Sequence, residues 1–247
     1  MKDIIEIYDG YRDLGILNRT ITEGEEINLV KDYVKFRKER FEGSTTRKLA
    51  VFMEVKVGNS YPDVVFVEYN PENYSNWNKY RDGLNKTDLK ILYHIYVSNG
   101  LPSEDIINQL GVTWKNLLIS IEKLYDSKLI TRSKSNWEIL NLNDIITYKI
   151  EAYEAKLNKW DKLLQQAILN TNFASESYAL SIRKSVPQKE MLNKFNKFGI
   201  GVCIKDNDDF SLIKQAKTNH IPVSYNSIIF NEWIGRIVTN GGLEYAI

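Results

Sequence analysis

The sequence predicts an α/β fold, a mixed β-sheet flanked by helices, with a small and mostly helical domain inserted part-way along it. Three observations carry this expectation. Short runs rich in Val, Ile, Phe and Tyr alternate with segments whose apolar residues recur every three or four positions, as a sheet covered by helices requires. That alternation gives way near Gly83 to closely spaced helical patterns and resumes near Tyr148. A chain of 247 residues can bury one good core together with a small inserted domain. The organisation read from these shifts is 1–82, N-terminal helices and the first part of the core; 83–142, the insertion; and 143–247, the second part of the core.

Residues 4–20 show a weak helical period. Beyond Thr22-Glu23-Gly24, Ile27, Val30, Val34, Arg37 and Phe41 form one helical stripe, with Lys31, Lys35, Arg37, Lys38 and Arg40 making a basic face that is either solvated or turned to phosphate. Leu49–Val57 and Asp63–Tyr69 read as strands joined through Gly58-Asn59-Ser60, a hairpin. Inside the insertion, Lys86–Val97 is helical and Ser103–Leu110 is a short capped helix ended by Gly111. A third helix opens at Thr113-Trp114. Leu129–Arg132 and Trp137–Leu140 flank the polar turn 133–136. Helix, helix, turn, helix and hairpin in this order resemble a winged helix-turn-helix, which implies contact with DNA or, alternatively, docking to another protein. On the DNA reading Lys115, Asn116, Lys123, Arg132 and Lys134 are the contacting residues, set against Glu122 and Asp126. Strand Tyr148–Leu157, helix Lys159–Leu169, strand Ser177–Ile182, helix Gln188–Phe198, strand Gly199–Ile204 and a helix over Phe210–Lys217 complete the reading.

Composition is that of a globular protein, with 43% hydrophobic and 26% charged residues. A net charge of +1 means that any nucleic-acid surface must be local. The single cysteine, Cys203, excludes an internal disulfide and a thiolate zinc site, and suits a reducing cytoplasm. The acid-punctuated N-terminus (Met1-Lys2-Asp3) is unlike a signal peptide, and no segment approaches the roughly 18 apolar residues of a membrane span. A cytoplasmic protein without a membrane partner is therefore expected. Only two histidines are present, His94 and His220, too far apart in sequence for a histidine metal site. Neither Gly199-Ile200-Gly201 nor Gly241-Gly242 continues into a phosphate loop.

The residues that carry chemistry are carboxylates and a lysine. Pro62-Asp63 enters one apolar strand, and Glu154-Ala155-Lys156 closes another. Strand alternation sends Glu154 and Lys156 to one side and Glu151 and Tyr153 to the other. Two carboxylates can hold Mg²⁺ through hard oxygen ligands, and an adjacent lysine can orient a nucleophile or stabilise developing negative charge. The triplet alone identifies nothing, because Glu54-Val55-Lys56 repeats its spacing. Glu54 is either a further ligand facing Asp63 across the hairpin or an ordinary strand residue.

The surroundings add a resemblance. Glu154-Ala155-Lys156 with Trp160, then Gln165-Gln166-Ala167, then Ser177-Tyr178 and Phe198-Gly199-Ile200-Gly201-Val202, is similar to the PD-(D/E)xK nuclease superfamily. That family has the restriction-endonuclease-like fold. The likeness spans about 50–82 and 145–205. It implies divalent-metal-dependent cleavage of DNA, less often RNA, with Mg²⁺ as cofactor and Mn²⁺ as a substitute. Asp63 and Glu154 would be metal ligands, Lys156 the catalytic lysine and Gln166 an auxiliary polar group. The long interval between Asp63 and Glu154 departs from the family spacing, and the inserted domain accounts for it. A homodimer would allow both strands to be cut. The alternative is a catalytically inactive, nuclease-like DNA-binding or regulatory protein.

Overall fold

A computed structural model describes residues 3–20, 23–185, 187–207 and 209–239. Met1, Lys2, Thr22, Gly241 and Gly242 lie outside them. The core is a seven-stranded mixed sheet in the order β1-β2-β3-β7-β8-β9-β10. Its members are β1 (Ile4–Ile7), β2 (Lys48–Met53), β3 (Val64–Tyr69), β7 (Lys149–Ala155), β8 (Glu176–Ile182), β9 (Gly201–Asp206) and β10 (Asp209–Lys214). The central strands β2, β3, β7 and β8 are buried on both faces, which is why β2 and β3 read as largely apolar runs, while β7 and β8 bury Glu151, Glu154 and Glu176 among their apolar residues. β2 and β3 form the expected antiparallel hairpin, and β3 pairs antiparallel with β7 across some 80 residues of sequence (Val64 opposite Tyr153). β7, β8 and β9 run parallel.

Helix α1 (Glu25–Glu39) covers one face, where Val30, Tyr33 and Val34 meet Val51, Phe66 and Tyr153. The other face lies under α6 (Trp160–Asn170), α7 (Lys189–Lys197) and α8 (Tyr225–Thr239). Leu163, Ala167 and Phe195 pack on Ala179 and Val202, and Phe230, Trp233 and Ile234 pack on Phe52, Val65 and Ala152.

Three sequence expectations are corrected. Residues 4–7 are a strand parallel to β2, not a helix; Ile5 and Ile7 are buried at the strand period of two, and Gly10 (φ 85°) ends the run in a conformation glycine adopts without strain. Residues 209–214 are an edge strand antiparallel to β9. Only Phe210 of that run is buried, so no helical stripe exists to cover a core. Ser103 does not cap its helix; it is the first helical residue, and its hydroxyl accepts from Trp137 Nε1 instead. Helix α8 was not expected at all. Its residues are buried nearly all round, so the one-sided stripe that marks a surface helix is missing.

Between β3 and β7 the chain forms α2 (Lys79–Asp82), α3 (Lys86–Val97), α4 (Ser103–Leu110) and α5 (Trp114–Asp126). A three-stranded antiparallel sheet accompanies them, made of β4 (Leu101–Pro102), β5 (Ile130–Ser133) and β6 (Asn136–Ile139) in the order β4-β6-β5. Asn85 and Asp88 build a reciprocal capping box at the start of α3, and Thr113 caps α5. Gly111, at φ 64°, supplies the left-handed residue that stops α4. This segment has its own core of Leu89, Ile95, Ile106, Leu117 and Leu124, joined by Ile228 of α8. Arg81 and Glu232, both almost inaccessible, tie α2 to α8 at 2.8 Å. Among the described residues, no helix is long and apolar enough to cross a membrane.

Candidate active site

The register of β3 and β7 fixes the site. Val64 lies opposite Tyr153, so continuing the antiparallel ladder by one residue sets Asp63 against Glu154. Two residues separated by the whole inserted segment thus meet at one end of the central sheet. Glu54 joins them from the end of β2, where its backbone N–H donates to the Asp63 carbonyl at 3.2 Å. Glu54 stands at φ 51°, a left-handed conformation that costs a non-glycine residue about 1 kcal/mol or more. The bridge from Asn18 to Val55 and the Arg19 N–H to Glu54 C=O hydrogen bond hold it there.

All three carboxylates are buried, with residue exposures of 6% for Glu54, 8% for Asp63 and 2% for Glu154. Each has a limited set of partners. Asp63 Oδ2 accepts from the Ala155 N–H at 2.6 Å, and its Oδ1 lies 3.9 Å from Arg19. Glu54 Oε2 is paired with Arg19 at 2.5 Å. Glu154 Oε1 accepts from Asn170 Nδ2 at 2.9 Å, while its Oε2 is buried without a hydrogen-bond partner. The titration behaviour follows. Burial, then the charge of Asp63, pushes Glu154 up to about 8. Burial raises Asp63 also, against the opposing Ala155 N–H and the charge of Lys156. Burial and then Asp63 raise Glu54.

Lys156 stands one residue beyond the end of β7, and its N–H still bonds to the Leu180 carbonyl. Its ammonium does not lie alongside Glu154 as strict alternation expects. It donates to Glu26 Oε2 in the first turn of α1 at 2.7 Å and to the Ala155 carbonyl at 2.8 Å. Burial would lower its pKa, but the hydrogen bond to Glu26 and the charges of Asp63, Glu26 and Glu154 outweigh it and hold it above the usual lysine value. Lys156 therefore acts within the field of the acids while held on a partner outside them.

Gln166 lies on α6 one turn before Asn170, and its Oε1 is buried without a partner, as is Asn170 Oδ1. Sequence reasoning did not reach Asn170, Arg19 or Glu26. For Asn170 a signal existed, since it is four residues after Gln166 on the same helical face. Arg19 and Glu26 come from distant segments, and only the tertiary structure brings them in.

The donor set fits a hard divalent cation. Glu154 Oε2 is a buried carboxylate oxygen with nothing to bond, and acidic oxygens outnumber the cations that face them. Among the described residues, no group of three or more His, Cys, Asp or Glu side chains is placed to hold an ion. With Glu54 engaged by Arg19, Asp63 and Glu154 are the residues that would hold one, water completing its coordination.

The residues expected to meet DNA lie well away from this cluster in sequence, on α5 and the β5–β6 turn. Lys115 and Asn116 are exposed at the start of α5, and Lys134 holds a left-handed turn position at φ 55°. Arg132 stacks on the Trp137 ring. Lys123 is less available, because its ammonium faces the buried Asp88 carboxylate at 3.4 Å. No family model, curated protein or solved structure matches this chain.

Proposed function

We propose that the protein is a metal-dependent nuclease of the PD-(D/E)xK type, with a restriction-endonuclease-like core and an inserted winged helix-turn-helix that helps to place DNA. The observation that carries this reading is the meeting of Asp63 and Glu154 at one sheet end, with a buried carboxylate oxygen of Glu154 left unbonded. A carboxylate deprived of water and of donors is costly unless a cation completes it.

In this reading Asp63 and Glu154 would hold Mg²⁺, or Mn²⁺ in its place, and Asn170 fixes the orientation of the Glu154 carboxylate. The bound ion supplies Lewis-acid polarisation of the scissile phosphate and a lowered pKa for water. The Ala155 N–H aligns Asp63 toward its neighbour. Lys156 contributes positive charge that offsets the phosphate's developing negative charge. Arg19, anchored on Glu54 and half exposed, would offer its guanidinium to an incoming phosphate. Asn116, Arg132 and Lys134 offer backbone contacts on the inserted segment.

The test is cleavage of plasmid and single-stranded DNA with Mg²⁺ or Mn²⁺. Asp63→Asn is expected to abolish cleavage and metal binding with the fold intact. Lys156→Ala is expected to slow cleavage by about 100-fold or more while leaving metal affinity nearly unchanged. Wild-type protein that binds neither ion by calorimetry would eliminate the reading.

A further inference from the structure

We infer that the outer face of α5 is a twofold contact between two copies of this chain. The inner face of α5 buries Leu117, Ser120, Ile121 and Leu124 in the core of the inserted segment. The outer face carries Trp114 (52% exposed), Leu118 (59%) and Tyr125 (55%). At about 100° of rotation per residue, Trp114, Leu118 and Tyr125 fall within about 40° of one another, a continuous apolar ridge. Single exposed apolar side chains are ordinary, but a ridge of this kind on one helix marks a contact surface.

The charges beside the ridge select the occupant. Glu122 and Asp126 offset Lys115 on the same face, and Lys123 is turned toward Asp88, so the face lacks the net positive charge that a phosphate backbone demands. The face is instead complementary to itself. Two α5 helices packed antiparallel, with the dyad at the level between Leu118 and Ile119, place Leu118 against Leu118 of the second copy. The same operation sets Lys115 against Glu122 of the second copy, and it does so twice, as an isologous interface must. Trp114 and Tyr125 of opposite copies then differ by only about 3 Å along the axis and close the two ends of the contact. Lys115 and Glu122 stand two helical turns apart within one chain, so their attraction is realised only between copies.

Sedimentation equilibrium of the full chain over about 1–100 µM tests this. A dimer is expected for the wild type. Leu118→Asp, at a position too exposed to disturb the core, is expected to weaken it by about 30-fold or more. Lys115→Glu and Glu122→Lys should each weaken it by about tenfold, and the double variant should recover most of the loss, because the reversed pair forms again across the dyad. A wild-type monomer throughout that range would overturn the inference. So would a dimer indifferent to Leu118→Asp, or a double variant no better than the single ones. Loss of DNA affinity in a Leu118→Asp protein whose parent is monomeric would assign the face to DNA instead.

Discussion

On β7, Glu151 and Glu154 point to opposite faces of the sheet, and both are almost completely buried. Glu151 has a cation for each oxygen, Arg37 on Oε2 and Lys149 on Oε1. Lys149 also bridges to Glu176, which accepts further from Tyr178, Thr218 and Gln215. Burial alone would raise Glu176, yet the hydrogen bonds from Tyr178, Lys149 and Thr218 bring it below its ordinary value. Glu154 receives one hydrogen bond, from an amide, and faces two other acids. A sheet of this kind can house buried carboxylates when it brings their donors along. One set therefore reads as architecture, and the other as a site prepared for a charge from outside.

That difference can be broken experimentally. Its largest expected effect is on activity. Glu154→Gln should abolish metal-dependent cleavage and leave the folded state as stable or more so at pH 8.5, since a neutral amide replaces a disfavoured charge. Glu151→Gln should do the reverse, costing about 3 kcal/mol in denaturant unfolding by leaving buried cations short of a partner, while cleavage survives in the folded fraction. Asn170→Ala should lower metal affinity by about tenfold, read by calorimetry, because it frees the Glu154 carboxylate to rotate.

The smallest effect is a pH slope. Glu154 holds its proton more tightly folded than unfolded, its value being raised from 4.5 to about 8. The stability this contributes is complete below about pH 4.5 and is lost as pH rises through about 8. Metal binding selects the ionised form, so Mg²⁺ affinity should climb over the same interval. Flat affinity between pH 6 and about 8.5 would mean that Glu154 is not the ligand.

Much of this arrangement was legible in the sequence. The apolar runs around Val51 and Val65 and the β-rich segment around Ala152 read as strands, and Pro62-Asp63 and Glu154 sat where two of them begin and end. The pairing of Val64 with Tyr153 converts that into contact. Direction was harder to read. Lys156 lies past the last residue of β7, where alternation no longer governs the side chain, and an acid on α1 draws it aside. Arg19 and Glu26 depend on chain crossings that no local period encodes. The strand at 209–214 was hidden because an edge strand exposed on most of its residues lacks the apolar run that identified the central ones.

Helix α8 serves two cores at once. Phe230, Trp233 and Ile234 cover the sheet, Ile228 completes the core of the inserted segment, and Glu232 neutralises Arg81. Its residues are also synthesised after every described strand and after the whole insertion. A nascent chain therefore emerges with Phe52 and Phe173 bare on one side and Leu89 and Ile91 short of cover on the other. Neither half can reach native packing ahead of the other, and both close on the same helix. An order of assembly is written into the topology: the apolar backing of β2, β3 and β7 on this face is complete only once α8 is in place.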